Sequence, residues 1–321
     1  MSEGCVVLIT KDRPATLAKT LHNLENSNFN VVIIDDSTTT ETYNLICDNY
    51  KSRNITYHGR NEQDALLMRF KNSELDAFVR PLGSKGWNLG FVRNYALVVS
   101  KSLVSRYTKI LFMDDDIIVR EPDRINQLFF QVNSSHFVGA KINGMADDSV
   151  VGHLMRACGG AFYEFLAGGF LAFNINTVSE YFLNYYNEDQ IWLFLHSPET
   201  RFETYCEVEQ QQYNPFESAV TKALHQEFGE ILEEGAEEAF RCGNHGLLLK
   251  EVFWKEICDA RIKFLDQLPA LLPGNKIAHI GQNVYQALTD YHSRISHDSF
   301  VNTFHRYFLR RERWRAVLEA I

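Results

Sequence analysis

The sequence predicts an α/β protein, a sheet flanked by helices and followed by a helical C-terminal extension. Short, β-branched apolar runs alternate with helical patterns through the first third of the chain, the rhythm of parallel strands joined by crossover helices. Two of those runs end directly in acids. From Asp298 onward, apolar residues recur near helical spacing to the end of the chain. At 321 residues and 45% apolar content, the chain is long enough to bury a large core.

The elements follow in order. Residues 5–10 (CVVLIT) are too short for a helix and rich in β-branched side chains, so they read as the first strand. A helix begins near Pro14, where proline suits a first turn, with Leu17, Leu21 and Leu24 on one face. Residues 31–35, 54–58 and 109–113 are the next three strands. A glycine-rich loop at 83–90 opens a helix through Arg93, Asn94 and Val99. Residues 136–142 and 170–175 read as further strands, and 178–186 as a helix with an aromatic face. The expected organisation is a domain over 1–285, with halves 1–120 and 121–285, and an extension over 286–321.

Charge narrows the function. The net charge of −9 argues against a general nucleic-acid binder, which needs a basic surface to displace counterions. Nearly all of that charge lies between Ser197 and His245, where eleven Glu face only Arg201, Lys222 and Arg241. This stretch, 197–245, reads as a solvated helical insertion. The six cysteines are scattered without a CxxC pair, as expected of free thiols in a reducing cytoplasm. No run is long and apolar enough to span a bilayer, the nearest being 161–175, which is short and contains Glu164. The N-terminus runs straight into a strand, so no signal peptide is expected, and the expected location is cytoplasmic.

Asp114, Asp115 and Asp116 are the most informative residues. Three adjacent carboxylates after an apolar strand repel one another, and a hard divalent ion such as Mn²⁺ or Mg²⁺ would relieve that repulsion while holding a diphosphate. An acidic turn that caps the next element is the structural alternative. In an open parallel sheet, ligands bind outside the carboxyl ends of the strands, so Asp35-Asp36, the acid triplet and the glycine-rich loop describe one cleft.

The segments VLITKDRP (7–14), VIIDDS (32–37), GWNLGFVRNYA (86–96) and ILFMDDD (110–116) come in that order. Together they resemble the nucleotide-binding half of GT-A fold glycosyltransferases, especially the family-2 type. The resemblance is specific over about 5–120 and continues more weakly to about Leu195. It implies a mixed sheet flanked by helices, with 1–120 as the nucleotide-sugar-binding half and 121–285 as the acceptor half. It also implies Mn²⁺ or Mg²⁺ as cofactor and a nucleotide-diphosphate-sugar donor. The acceptor hydroxyl would belong to a glycan, a lipid-linked carrier, a peptide or a small molecule.

By the same resemblance, Thr10 and Asp36 contact the nucleotide base, with Gly86, Arg93 and Asn94 lining that pocket. Asp114 and Asp116 form the DxD pair, Asp114 near the ribose and Asp116 on the metal, while registers that use Asp115 stay open. Gly168 and Gly169, before a strand, let backbone approach the donor sugar, although a strand-entry bulge would explain them equally. Asn187-Glu188-Asp189 resembles the ED motif, which makes Asp189 the general base of an inverting enzyme and Glu188 its support. A helix cap is the structural alternative there. If Asp189 only binds sugar, a retaining enzyme follows.

The sequence departs from the family pattern in the long acidic stretch and in lacking a unique third metal ligand. His279 is the candidate for that ligand. A sugar nucleotidyltransferase would need glycines after the first strand, where this chain has Thr10-Lys11-Asp12-Arg13-Pro14. A non-catalytic nucleotide-sugar-binding protein would tolerate loss of the acids, yet they are all present. The arginine-rich C-terminus reads as a closing helix, with peripheral contact to an anionic membrane as the rival.

Overall fold

A computed structural model of the chain describes residues 4–25, 29–50, 54–69, 88–133, 136–143, 149–160 and 166–321. The first half alternates as the sequence predicts: β1 (Gly4–Thr10), α1 (Pro14–Asn23), β2 (Asn30–Asp35), α2 (Glu41–Asn49), β3 (Ile55–His58), α3 (Arg60–Arg69), α4 (Leu89–Ser102) and β4 (Lys109–Asp114). There follow β5 (Ile117–Ile118), α5 (Asp123–Gln131), β6 (His136–Asn143), α6 (Val150–Ala157), β7 (Phe170–Asn174), α7 (Glu188–Phe194) and β8 (Arg201–Gln210). The rest is helical: α8 (Ala219–Arg241), α9 (Glu251–Leu265), α10 (Leu268–Leu271), α11 (Ala278–His292) and α12 (His297–Glu319).

The described strands form one mixed sheet in the order β3-β2-β1-β4-β7-β6-β8-β5. Every residue of β1 is buried, because both faces of the sheet are covered. Cys5, Val7 and Ile9 enter a core shared with α4, α7, α8, α9 and α12. Val6 and Leu8 point to the other face, against α1 and α5. A smaller third cluster joins α6 to the start of α8, α10 and α11.

The change of direction beside β4 builds the site. β1 and β4 are parallel, whereas β7 runs antiparallel to β4 and pairs Phe170 with Met113. The residues entering β7, Gly168 and Gly169, therefore lie against the last residue of β4, and the Asp114 N–H donates to the Gly169 carbonyl at 2.9 Å.

Two expectations are corrected. Residues 178–186 are not helical, and after a 3₁₀ turn at Ile175–Thr177 the chain runs irregularly to α7. Its backbone is held by other elements: Asn94 brackets Phe182, donating to its carbonyl at 2.9 Å and accepting its N–H at 2.7 Å, and the Trp192 indole donates to the Glu180 carbonyl. Tyr181 and Phe182 are core, whereas Tyr185 is exposed, so the aromatics do not share one helical face.

The acidic stretch is likewise no solvated helical insertion. It begins with β8, a ten-residue strand parallel to β6, in which Cys206 and Val208 are buried while Glu203 and Glu207 face solvent. Its second part is α8, whose Glu227 is fully buried. The expected boundary at 285 falls inside α11.

Candidate active site

Arg93 is the centre of the site. It rises from α4 into the space beyond β4 with only 2% of its surface exposed. Nη2 lies 3.4 Å from Asp114 Oδ1, Nε lies 3.2 Å from Glu188 Oε1, and Nη1 donates to the Gly168 carbonyl at 3.2 Å. Gly168 in turn donates its N–H to Asp189 Oδ2 at 2.7 Å. Among the described residues, Asp189 Oδ1 has no hydrogen-bond partner, and Asp189 is only partly buried.

The glycine pair is required by this packing. A Cβ on Gly168 would sit 2.4 Å from Asp189 Cβ and 2.5 Å from Arg93 Nη1. A Cβ on Gly169 would sit 2.9 Å from Asp114 Oδ2. One Gly–Gly segment is thus wedged between Asp114, at a strand end, and Asp189, at a helix start. Asn187, in the left-handed region at φ 58°, turns the chain into α7, whose first two residues are the acids Glu188 and Asp189. Neither caps the helix, since their carboxylates are spent on Arg93 and on the Gly168 N–H.

The other two acids of the triplet face β1 and α1. Asp115 is fully buried, accepting from the Thr10 hydroxyl at 2.6 Å and pairing with Arg13 at 2.6 Å. The Thr20 hydroxyl donates to the Asp115 carbonyl at 2.5 Å. Asp116 Oδ2 meets Arg13 Nη1 at 3.1 Å, and the Gln211 N–H donates to the Asp116 carbonyl at 2.9 Å. Asp116 Oδ1 is buried and, among the described residues, has no hydrogen-bond partner. At the end of β2, Asp36 is buried among cations, 3.5 Å from Lys11 and 3.1 Å from Arg60, and accepts from the Asn88 amide at 3.3 Å.

Charge crowding shows in the protonation equilibria. Burial pushes Glu188 up to about 8 against the pull of Arg93. Burial likewise lifts Asp115 to about 7, opposed by Arg13 and by the Thr10 hydrogen bond. Asp114 is raised by burial, Arg93 opposes the rise, and Asp116 and Asp189 add to it. Such a cluster favours either protons or a cation.

Of the residues singled out in the sequence, Arg93, Asp114, Gly168, Gly169, Glu188 and Asp189 meet in direct contact, and Asp115 and Asp116 continue the same cluster. Two others, Asn94 and Thr10, make contacts the sequence did not suggest, and Asp115 is turned inward. Asn94 is fully buried, and its amide holds Phe182 instead of lining a pocket. The Thr10 hydroxyl is engaged by Asp115. The Asp115 side chain itself is sealed beneath Thr10 and Arg13, which leaves Asp114 and Asp116 as the outward pair.

His279 is an exposed residue in the first turn of α11, a helix that packs on α8 and α10. Among the described residues, no group of three or more His, Cys, Asp or Glu is gathered as a metal cage. Gly86 lies outside the described residues.

The chain matches no protein-family model and no curated protein by sequence. Among solved structures it is similar to the galactosyltransferase LgtC in complex with donor and acceptor sugar analogues. That match has 15% identity and a TM-score of 0.33 and spans 54% of this chain and 58% of that one. The glycosyltransferase GlyE of Streptococcus pneumoniae matches at 16% identity and a TM-score of 0.31, over 55% of this chain and 35% of that one. Mouse xyloside xylosyltransferase 1 matches at 10% identity and a TM-score of 0.34, over 59% and 71%.

Arg13 is the site residue that the sequence did not single out. It stood in the VLITKDRP segment, but its reach of 103 positions to Asp116 is a tertiary contact with no local signal. The donor set fits a hard divalent ion. Asp114 and Asp116 are two crowded carboxylates, Asp116 Oδ1 is a buried oxygen with no partner among the described residues, and Mg²⁺-type ions use one or two carboxylates with phosphate and water completing the shell.

Proposed function

We propose that this chain is a glycosyltransferase of the GT-A type that moves a sugar from a nucleotide-diphosphate-sugar donor to an acceptor hydroxyl. The observation that carries the reading is the Gly168–Gly169 wedge. It brings Asp114, one of two acids suited to a cation, and a separately held acid, Asp189, against one Gly–Gly backbone segment.

Asp114 and Asp116 are the residues that would hold Mn²⁺ or Mg²⁺, and the ion would supply Lewis-acid stabilisation for the charge on the leaving diphosphate. The chain's own residues do the rest. Arg93 fixes the Asp114 carboxylate and, through Glu188, the start of α7. The Gly168 N–H orients Asp189 through Oδ2 and leaves Oδ1 for the acceptor. Asp189 takes the acceptor proton as the hydroxyl attacks, and direct displacement on the opposite face inverts the anomeric centre.

The test is incubation with Mn²⁺ and a panel of nucleotide sugars, reading the release of nucleoside diphosphate. Slow release from one donor, abolished by chelator and by Asp116→Ala, is the expected result. Release from none of them, with or without an acceptor mixture, rejects the reading.

A further inference from the structure

The loop between β1 and α1 places a cation directly on the acid cluster. Its geometry is fixed from the neighbouring strand end: Asp12, at φ 51°, donates its N–H to Ser37 Oγ at 2.7 Å and accepts the Thr38 N–H at 2.8 Å. Arg13 follows, at 2.6 Å from Asp115 and 3.1 Å from Asp116. The two arginines of the site differ in kind. Arg93 is buried, whereas the Arg13 side chain is 50% exposed and can swing into water without opening the core. Asp115 keeps the Thr10 hydroxyl if Arg13 leaves. Around Asp116, the Gln210 amide lies at the limit of hydrogen bonding, 3.5 Å from Oδ2, so among the described residues Arg13 is its principal counter-charge.

We propose that Arg13 is the resident counter-ion of Asp116, which a divalent cation must displace in order to bind. The inference rests on the reading of Asp114 and Asp116 as cation ligands and adds a residue that sets how tightly that cation is held. With Arg13 on Oδ2, a divalent ion taken up at Oδ1 would sit a few ångströms from the guanidinium, and like charges that close in a partly buried site repel strongly. A diphosphate tips the competition by offering oxygens to the ion and an alternative anion to the freed guanidinium.

The probe is Mn²⁺ alone, titrated calorimetrically into the full chain as wild type, Arg13→Gln, Lys11→Gln and the double variant Arg13→Gln/Asp116→Asn. Lys11 is the control because it lies on the same loop but pairs with Asp36. Arg13→Gln is expected to bind Mn²⁺ about ten-fold more tightly than wild type, the order expected for one unit charge removed beside the ligand. Lys11→Gln is expected to change affinity by less than about two-fold, and the double variant to lose the gain. Should Arg13→Gln bind no more tightly than wild type, should Lys11→Gln gain as much, or should the gain survive Asp116→Asn, Arg13 is not the displaced ion and the cation reading stands. Absence of Mn²⁺ binding in every variant overturns the inference and the cation reading together.

Discussion

Gly168 concentrates the site's constraints in one atom that is absent. Its Cα lies so close to Asp189 and Arg93 that an added methyl overlaps both. Gly168→Ala is expected to cost about 1–3 kcal/mol by overpacking. It should also lower turnover by roughly 100-fold, because displacement of a catalytic group by about 1 Å has that effect. Thermal melts and steady-state rates check the two numbers separately. Asp189→Asn preserves shape but cannot take a proton, so turnover should fall by roughly two orders of magnitude with donor affinity unchanged. Asp116→Asn should weaken donor binding as well. Equal loss of donor affinity in both variants would put Asp189 on the donor and remove it from the proton path. Asp36 and the acid triplet were legible as strand ends, whereas Arg93, the glycines and Asp189 were singled out by the family resemblance. The engagement of Thr10 by Asp115, and the grip of Asn94 on Phe182, were not legible, since both partners lie far along the chain.

Among the elements, the helices α8, α9 and α11 are joined by one buried charge network. Arg261 grips both oxygens of Glu227 at 2.9 Å each and reaches Glu234 at 2.8 Å and Glu230 at 3.1 Å, while His292 meets Glu227 at 2.8 Å. Burial alone would raise the Glu227 pKa, but Arg261 and His292 outweigh it and bring it from 4.5 to about 2. A folded-state pKa below the unfolded one gives stability that is present above pH 4.5 and lost as pH falls toward 2. The size is about 3 kcal/mol at 1.36 kcal/mol per unit. Glu227→Gln should therefore be destabilised at neutral pH, and its difference from wild type should shrink on acidification through that window. A difference that stayed constant from pH 5 to pH 2.5 in denaturant melts would show that the network does not hold Glu227 ionised. None of this was visible beforehand, because a run of glutamates reads as solvated until a buried arginine from another helix is placed against it. The strand β8 was hidden for a related reason: its alternation of Phe202, Cys206 and Val208 is legible, but the intervening glutamates drew the whole stretch into a helical reading.

At the scale of the molecule, α12 closes the core that supports the site. Phe300, Phe304, Tyr307, Trp314 and Leu318 are buried in the same cluster as β1, β4, α4 and α7. Its polar contacts converge on Glu180: the Tyr307 hydroxyl donates to Oε2, and Arg315 donates to Oε1 at 2.7 Å. Tyr181 stacks on Tyr307 with ring centroids 4.5 Å apart. Glu180 and Tyr181 belong to the irregular segment that leads into Glu188 and Asp189, so the end of the chain braces the approach to the proposed base. Arg306, Arg310 and Arg313 lie on the exposed side. The sequence showed the apolar stripe of this helix but not its destination, which left a membrane surface as a rival for the same residues. With the stripe committed to the core, insertion of that face into lipid would require the domain to open. Removal of residues 297–321 should accordingly abolish cooperative thermal unfolding, whereas loss of a membrane anchor would leave the melt intact. The milder variant Tyr307→Phe keeps the ring but strips Glu180 of one donor, and should cost about 1–3 kcal/mol, the usual cost of a buried acceptor left unpaired. If the truncated chain melts as the full chain does and only co-sedimentation with anionic vesicles is lost, α12 is an anchor and the brace on Asp189 does not exist.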